Sequence, residues 1–305
     1  MIENNNPTIA IIISAYNAEK YIKEQVESIL NQVDVNVFLW IRNDGSVDRT
    51  LEILRTEFGT DSRVVVTDGD NLGAAESFLQ AIFECDYQCQ YYGFSDADDV
   101  WVANKLKLSI EKIKISSSSN PIAVATQMKV VDQNLQTIGL TDPPRIGLKF
   151  NNAVVQTVAS GASILMNQSA FSLLRSYRPK SVVMHDAWIY LLITAFGNFL
   201  YLDQPTILYR QHGNNVFGTS HGFKRRFLNR INRIKRKSPY KKQAVEFFSA
   251  FGEQLSAENR VVIEEYINYD KCFYKRFLFS ISPTVQMQGF KADIFQRILM
   301  LFGRA

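Results

Sequence analysis

The sequence predicts an α/β fold: a mostly parallel sheet flanked by helices, followed by a helical, basic C-terminal extension. Three observations carry this. Apolar β-branched runs without alternation recur at short intervals, each runs into a polar loop and a helix-spaced apolar stripe, and the charge changes sign along the chain. A strand covered on both faces has no need to alternate, so continuous runs point to a parallel sheet. Of 34 Lys+Arg and 30 Asp+Glu, 17 cations but only 7 acids fall from His221 onward, leaving about −6 on the first 220 residues and about +10 on the rest. The 305 residues are 46% hydrophobic and 21% charged, which fits a large buried core and excludes a disordered chain.

Residues 8–14, Thr-Ile-Ala-Ile-Ile-Ile-Ser, form the first continuous run. Ala15, Tyr16 and Asn17 break it, and Asn17 is placed to cap a helix that buries Ala18, Tyr21, Ile22, Val26, Ile29 and Leu30 at helical spacing. A second strand over residues 35–41 meets the turn Asn43-Asp44-Gly45-Ser46, and its helix buries Val47, Leu51, Leu54 and Phe58 before Gly59. A third strand, 63–67, leads through the loop 68–73 into a helix over 74–83, and a fourth strand covers 91–95. Alternation of this kind requires right-handed crossovers, so the loops at Tyr16, Asp44, Asn71 and Asp96 open onto one sheet edge, where such folds bind ligands.

Further along, a helix is expected from Trp101 to about Ile115, ended by the Ser-rich connector before Pro121. Strands follow over 122–128 and 163–166, an irregular turn at Asp142-Pro143-Pro144, and helices over 168–175 and from His185 to Phe196. No run is long and apolar enough for a comfortable membrane span. The first seven residues lack the features of a signal peptide, so the expected location is cytoplasmic. Cys85, Cys89 and Cys272 contain no C-x-x-C pair and read as reduced, structural thiols.

The fourth strand ends in Asp96, Asp98 and Asp99, three carboxylates in four positions. They repel one another at neutral pH, so either a divalent cation or a set of donors holds them ionised, or the stretch is an acidic turn with Asp99 capping the next helix. Asp186 stands in the first turn of its helix, where the helix dipole favours a carboxylate whatever else it does.

In order, Ile12-Ile13-Ser14-Ala15-Tyr16-Asn17-Ala18-Glu19-Lys20-Tyr21-Ile22, Asn43-Asp44-Gly45-Ser46-Val47-Asp48-Arg49-Thr50, Asn71-Leu72-Gly73, Phe94-Ser95-Asp96-Ala97-Asp98-Asp99-Val100-Trp101 and His185-Asp186-Ala187-Trp188 resemble family 2 glycosyltransferases of the GT-A, Rossmann-like fold. The resemblance covers about residues 8 to 218. Together with Tyr209-Arg210-Gln211-His212-Gly213-Asn214-Asn215-Val216, it is most like bacterial rhamnosyltransferases of cell-surface polysaccharide synthesis. It implies an inverting transfer from a nucleotide-sugar donor, dTDP-rhamnose or a UDP-hexose, to a lipid-linked saccharide acceptor; a non-catalytic nucleotide-sugar-binding protein is the alternative.

The resemblance assigns the sites residue by residue. Ser14, Ala15, Tyr16, Asn17, Asp44 and Asn71 line the nucleotide side, with Asp44 accepting the imino N–H of a pyrimidine base and Tyr16 lying beside the ring. Asp96, Ala97 and Asp98 follow, Asp98 as the ligand of Mg²⁺ or Mn²⁺ and Asp96 as the ribose or donor contact. His212 completes the metal site or is a solvated loop histidine. Asp186 is the general base, with helix capping as its plainer reading. Asp44 alternatively only fixes the turn with Gly45, and Tyr16 is alternatively a core residue.

The expected domains are a catalytic one over 1–220 and a helical, basic amphipathic region over 221–305. Residues 223–237 interleave Phe227, Ile231 and Ile234 with eight cations, and a second patch follows over 273–279 and 290–302. An anionic membrane surface at the inner face of the plasma membrane is the expected partner, against a solvated basic helix. No recognition motif supports nucleic acid as a partner.

Overall fold

The computed structural model describes residues 6–116, 119–211 and 238–305. Its elements begin with β1 (Thr8–Ala15), α1 (Ile22–Leu30), β2 (Asn36–Asp44), α2 (Thr50–Phe58), β3 (Val64–Gly69), α3 (Ala74–Glu84) and β4 (Tyr91–Ser95). These four strands are parallel and lie in the order β3-β2-β1-β4. Their registers pair Ala15 with Asn43, Asp44 with Gly69 and Ile13 with Ser95, so the four carboxyl ends share one edge.

The sheet continues through β5 (Val100–Trp101), β6 (Ile122–Val131), β7 (Thr137–Leu140), β8 (Ile164–Asn167) and β9 (Asn198–Arg210). Beyond β4 the order is β8-β6-β9-β5, with β7 on β6, making nine strands among the described residues. β8 is antiparallel to both β4 and β6, whereas β6 and β9 run parallel. The edge piece β5 pairs antiparallel with β9, so the chain leaving the acidic turn returns to the sheet through β9.

The continuous apolar runs are buried on both sides, as a parallel sheet requires. Ile9, Ile11 and Ile13 of β1 pack with Ile22, Val26 and Ile29 of α1, and Leu106 and Ile110 of α4 (Lys105–Ile115) join the same cluster. Each fully buried Ile contributes about 1.5–3 kcal/mol. Across the sheet, Phe94 of β4 meets Phe78 of α3 edge to face at 6.4 Å, and Tyr92 stacks on Phe171 of α6 (Gln168–Arg175) at 3.7 Å.

Two helix starts differ from the sequence reading. Asn17 does not cap α1: it adopts φ 49°, and the helix begins four residues beyond Ala18 with Tyr21 at its N-terminal boundary and no side-chain cap. Asp99 does not cap the following helix either, because β5 and a turn intervene and Asn104 stands before α4.

The chain divides into two compact units. The first holds residues 1–143, 159–178 and 197–212 and contains the sheet; the second holds 144–158, 179–196 and 213–305. The chain first passes between them at the Asp142-Pro143-Pro144 turn. Residue 220, the expected domain boundary, lies outside the described residues, as does the basic stretch 223–237.

In the second unit, α5 (Phe150–Ala153), α7 (His185–Phe196) and α8 (Pro239–Phe251) share an aromatic core in which Trp188 meets Phe247 at 5.4 Å and Phe196 meets Phe251 at 5.6 Å. Buried Tyr190 donates to Asn152 Oδ1 at 2.9 Å, so its hydroxyl is satisfied inside that core. Helices α9 (Ala257–Asn268), α10 (Phe273–Ile281) and α11 (Phe290–Leu301) complete the unit. No helix among the described residues is long and apolar enough to cross a membrane.

Candidate functional site

The loops after β1 and β2 are stitched together by side chains. Asn17 N–H donates to Ser46 Oγ at 3.0 Å, and the Asn17 Oδ1 accepts from Val47 N–H at 2.9 Å. Ala18 N–H donates to Thr50 Oγ1 (2.7 Å) and Glu19 N–H to Asp48 Oδ2 (3.1 Å). Asp48 Oδ1 in turn accepts from Thr50 N–H and Oγ1. The polar residues of the Asp44-Gly45-Ser46-Val47-Asp48-Arg49-Thr50 stretch therefore fix the loop that presents Tyr16, which is 49% exposed.

Asp44 closes the second strand and is buried. Its Oδ1 accepts from Arg42 Nη1 and from Leu72 N–H (2.9 Å), and its Oδ2 accepts from Gly73 N–H (3.0 Å). Gly45 follows at φ +67°, and a Cβ there would sit 2.7 Å from Asn71 N, so only glycine permits this close approach. Arg42, also buried, reaches Ser77 Oγ (3.0 Å) and Asp70 O (2.9 Å), while Ser77 Oγ lies 2.6 Å from Ser14 Oγ. Ser14, Asp44 and Asn71 are thus brought to one place by Arg42 and the first turns of α3. Beside them Asn43 donates to Asp68 Oδ1 at 2.7 Å, and its own buried Oδ1 has no hydrogen-bond partner.

The acidic turn is built differently. Ser95 accepts from buried Gln25 of α1 (2.7 Å) and donates to Asp96 O (2.8 Å), fixing where the strand ends. Ala97 is buried, Asp96 and Asp98 are half-buried, and Asp99 is fully buried. Asp99 Oδ1 accepts from Arg210 N–H at 2.9 Å, but its buried Oδ2 has no partner. Burial, then Asp98 and Asp96, push its carboxyl well above the usual carboxylate range.

Arg210 braces this turn from β9. Its guanidinium donates to Asp98 O (2.9 Å), Gln133 O (2.7 Å) and Glu24 Oε2 (2.6 Å), and lies over the Tyr21 ring at 4.6 Å. The preceding Tyr209 has its phenol pushed up by burial and by Asp96, Asp99 and Asp98. Four residues after Trp101, Lys105 is fully buried over the Trp101 ring at 4.0 Å, its ammonium without a hydrogen-bond partner among the described residues, and burial lowers its pKa to about 7.

No group of three metal-ligating side chains is gathered among the described residues. Two half-buried carboxylates beside a third whose charge burial opposes still form a donor set that fits Mg²⁺ or Mn²⁺, since such ions are held by one or two carboxylates and complete their shell with substrate phosphates and water. His212 lies outside the described residues. Asp186 belongs to the second unit, half-buried in the first turn of α7. Its neighbour His185 is buried, which lowers the imidazole pKa to about 3 and keeps it neutral at physiological pH.

Residues 10–173 match the model of the glycosyl transferase family 2, more than half of the chain. The chain belongs to that family. It is similar to dTDP-rhamnosyl transferase RfbG of Shigella flexneri, at 26% identity over 264 residues, covering 82% of this chain and 88% of RfbG. Among solved structures the fold matches S. aureus TarS, with a TM-score of 0.59 at 15% identity over 90% of this chain and 46% of that longer one. The match to TarS 1-349 in complex with UDP-GlcNAc has a TM-score of 0.55 at 13% identity, covering 97% and 91%. The mannosyltransferase PcManGT from Pyrobaculum calidifontis, in complex with GDP-Man and Mn²⁺, gives 0.54 at 14%, covering 92% and 73%. The protein is a glycosyltransferase with the GT-A architecture.

The sequence reading gave no role to Asn43 and Arg210, which it quoted only within motifs, and did not single out Arg42 or Ser77; these side chains tie the loops of the site together. The available signal was a charged or polar residue at the end of an apolar strand or in the first turn of its helix, where neighbouring elements close off the solvent.

Proposed function

We propose that this family 2 glycosyltransferase moves rhamnose from dTDP-rhamnose to a lipid-linked saccharide in cell-surface polysaccharide synthesis, by a metal-assisted single displacement with inversion. The observation that carries this reading is the acidic turn, where Asp96 and Asp98 stand half-buried at the edge that also holds the Asp44 loop cluster. Similarity to RfbG along 82% of the chain supports the donor.

In this reading Tyr16 lies against the thymine ring, and Asp44 Oδ2, with one acceptor position left beyond Gly73 N–H, accepts a hydrogen bond from the imino N–H. Ala15 and Asn17 shape that pocket, Asn71 borders it, and Asp96 holds the ribose. Asp98, with His212, would hold Mg²⁺ or Mn²⁺, which neutralises the charge that grows on the diphosphate leaving group. Asp186 accepts the proton of the acceptor hydroxyl as its oxygen bonds to the anomeric carbon and the bond to the diphosphate breaks, leaving a nucleoside diphosphate. A UDP-hexose remains the alternative donor, in line with the UDP-GlcNAc bound to TarS 1-349.

The acceptor places the enzyme at the inner face of the plasma membrane, and the cations of residues 223–237 supply electrostatic attraction to that surface. Thermal-shift and turnover measurements with dTDP-rhamnose, UDP-hexoses and Mn²⁺ decide the donor; turnover with only UDP-hexoses rejects the rhamnose reading. Asp186→Asn should keep donor binding and lose about 10²- to 10⁴-fold in transfer. Near-normal turnover in that variant would remove Asp186 as the base.

A further inference from the structure

Helices α10 and α11 pack on one another, and each leaves an apolar face outward. On α10 the exposed side chains are Phe273, Tyr274, Phe277, Leu278 and Ile281; on α11 they are Phe290, Ile294 and Ile298. Spacings of four residues align Phe273, Phe277 and Ile281 on one helix, and Phe290, Ile294 and Ile298 on the other. Phe273 is 70% exposed and Phe290 81%, far beyond the scattered apolar exposure normal for a soluble surface.

These faces are what remains after the inward ones are used. Phe279 stacks on Tyr269 at 5.2 Å, Leu299 and Met300 are buried, and Arg297 of α11 donates to Ser280 O (3.0 Å) and Ser282 O (2.7 Å) at the end of α10. The hairpin is therefore pinned in an arrangement that keeps Phe273, Phe277 and Phe290 outward while Phe279 packs inward.

Charge selects the occupant. Of the acids nearby, Asp293 pairs with Arg297 at 2.7 Å, Asp270 pairs with Lys241, and Glu265 accepts from Thr284 of the connecting loop at 2.7 Å, which leaves the cations of the hairpin in excess. Lys271, Lys275, Lys291 and Arg304 are exposed and make no ion pair among the described residues. By helical register Lys291 falls within the apolar stripe of α11. Lys is depleted from the cores of protein–protein contacts, whereas beside a lipid surface its stem lies along apolar groups and its ammonium stays with the headgroups.

We propose that the outward faces of α10 and α11 insert shallowly into an anionic phospholipid surface, with Phe and Ile among the acyl chains and the four cations at the headgroups. This deepens the membrane-facing part of the function above and rests on it only for the whereabouts of the acceptor. It assigns the apolar share of binding to this hairpin, distinct from the electrostatic share of residues 223–237.

The test is flotation of the full chain with vesicles of phosphatidylcholine, with and without phosphatidylglycerol, at low and high salt. The parent should float with the anionic vesicles and keep a salt-resistant fraction. The combined Phe273→Ser, Phe277→Ser and Ile281→Ser variant, and separately Phe290→Ser, Ile294→Ser and Ile298→Ser, should each lower lipid partition by at least ~10-fold. Circular dichroism melts and donor binding in solution should be unchanged, which separates a failed membrane face from a misfolded chain and from a failed transferase reading. Parent-like flotation of both folded variants overturns the proposal. So does an oligomer that dissociates in these variants while vesicle binding stays put, since the face would then belong to a second copy.

Discussion

Asp44 and Asp99 are both buried carboxylates at the carboxyl edge of the same sheet, and their surroundings are opposites. Asp44 has a guanidinium and two backbone N–H donors, each placed by a loop whose geometry Gly45 and Gly73 permit. Asp99 has one backbone donor, one oxygen without a partner and two acidic neighbours. The Asp44 cluster, the nucleotide side in the proposed reading, has donors to both carboxylate oxygens as it folds. The acidic side carries an electrostatic cost, and in the proposed reading a divalent cation bound with the diphosphate would relieve it.

The sharpest way to break the contrast is to strip Asp44 of its partner. Arg42→Ala leaves a buried carboxylate without its cation and should cost about 3–5 kcal/mol, read from urea unfolding, with weaker nucleotide binding because Ser77 and the Asp70 carbonyl lose the same anchor. A variant as stable as the parent would show that the two backbone donors suffice. On the other side, Asp98→Ala should lower transfer about 10²- to 10³-fold without rescue by added Mn²⁺, and chelation of the parent with EDTA should abolish turnover. Full activity in EDTA would end the metal reading while leaving the fold untouched.

Arg210→Ala removes the brace and leaves the Asp98 and Gln133 carbonyls without their donor, so about 1–3 kcal/mol of stability should go. The informative readout is the Mn²⁺ concentration for half-maximal donor binding, which should rise if the turn loosens and stay constant if Arg210 only supports packing. Arg210→Lys should not restore it, because one ammonium cannot reach the three directions the fork spans. Gly45→Ala forces φ +67° on a residue with a Cβ 2.7 Å from Asn71 N, and should cost about 1–3 kcal/mol in melts.

Much of the first four βα units was legible because continuous Ile and Val runs fit little besides a strand covered on both faces, and Tyr16, Asp44, Asn71 and Asp96 emerge on the expected edge. The errors came from residues whose partners are distant in sequence. Asn17 has the composition of a cap, yet its side chain serves Val47, thirty positions away. Asp99 has the position of a cap, yet a strand of two residues follows it, too short to leave a pattern, and its donor is Arg210. The thirteen-residue β9 was hidden by Asp203, Gln204 and Pro205; Pro205 sits where the register with β6 shifts at Gln127, the irregularity at which a strand accommodates a residue without an N–H. The aromatic core of the second unit joins segments too far apart for any local period to reveal.

The smallest expected effect concerns another buried charge, Lys105 at the start of α4. Lys105 lies over Trp101 with no ion pair among the described residues, and burial takes its pKa from the ordinary 10.5 to about 7. Between about pH 7 and 10.5 the unfolded chain therefore binds a proton that the folded chain does not, so the Lys105 contribution to stability rises with pH across that window. Below about pH 7 the folded chain carries the full cost of a buried ammonium. Lys105→Met keeps the aliphatic stem and removes the charge, so it should stabilise the protein most on the acid side of pH 7 and flatten the rise above it. Urea unfolding at a series of pH values measures the slope directly. A slope unchanged in Lys105→Met would mean that the indole face holds the ammonium well enough to offset its burial.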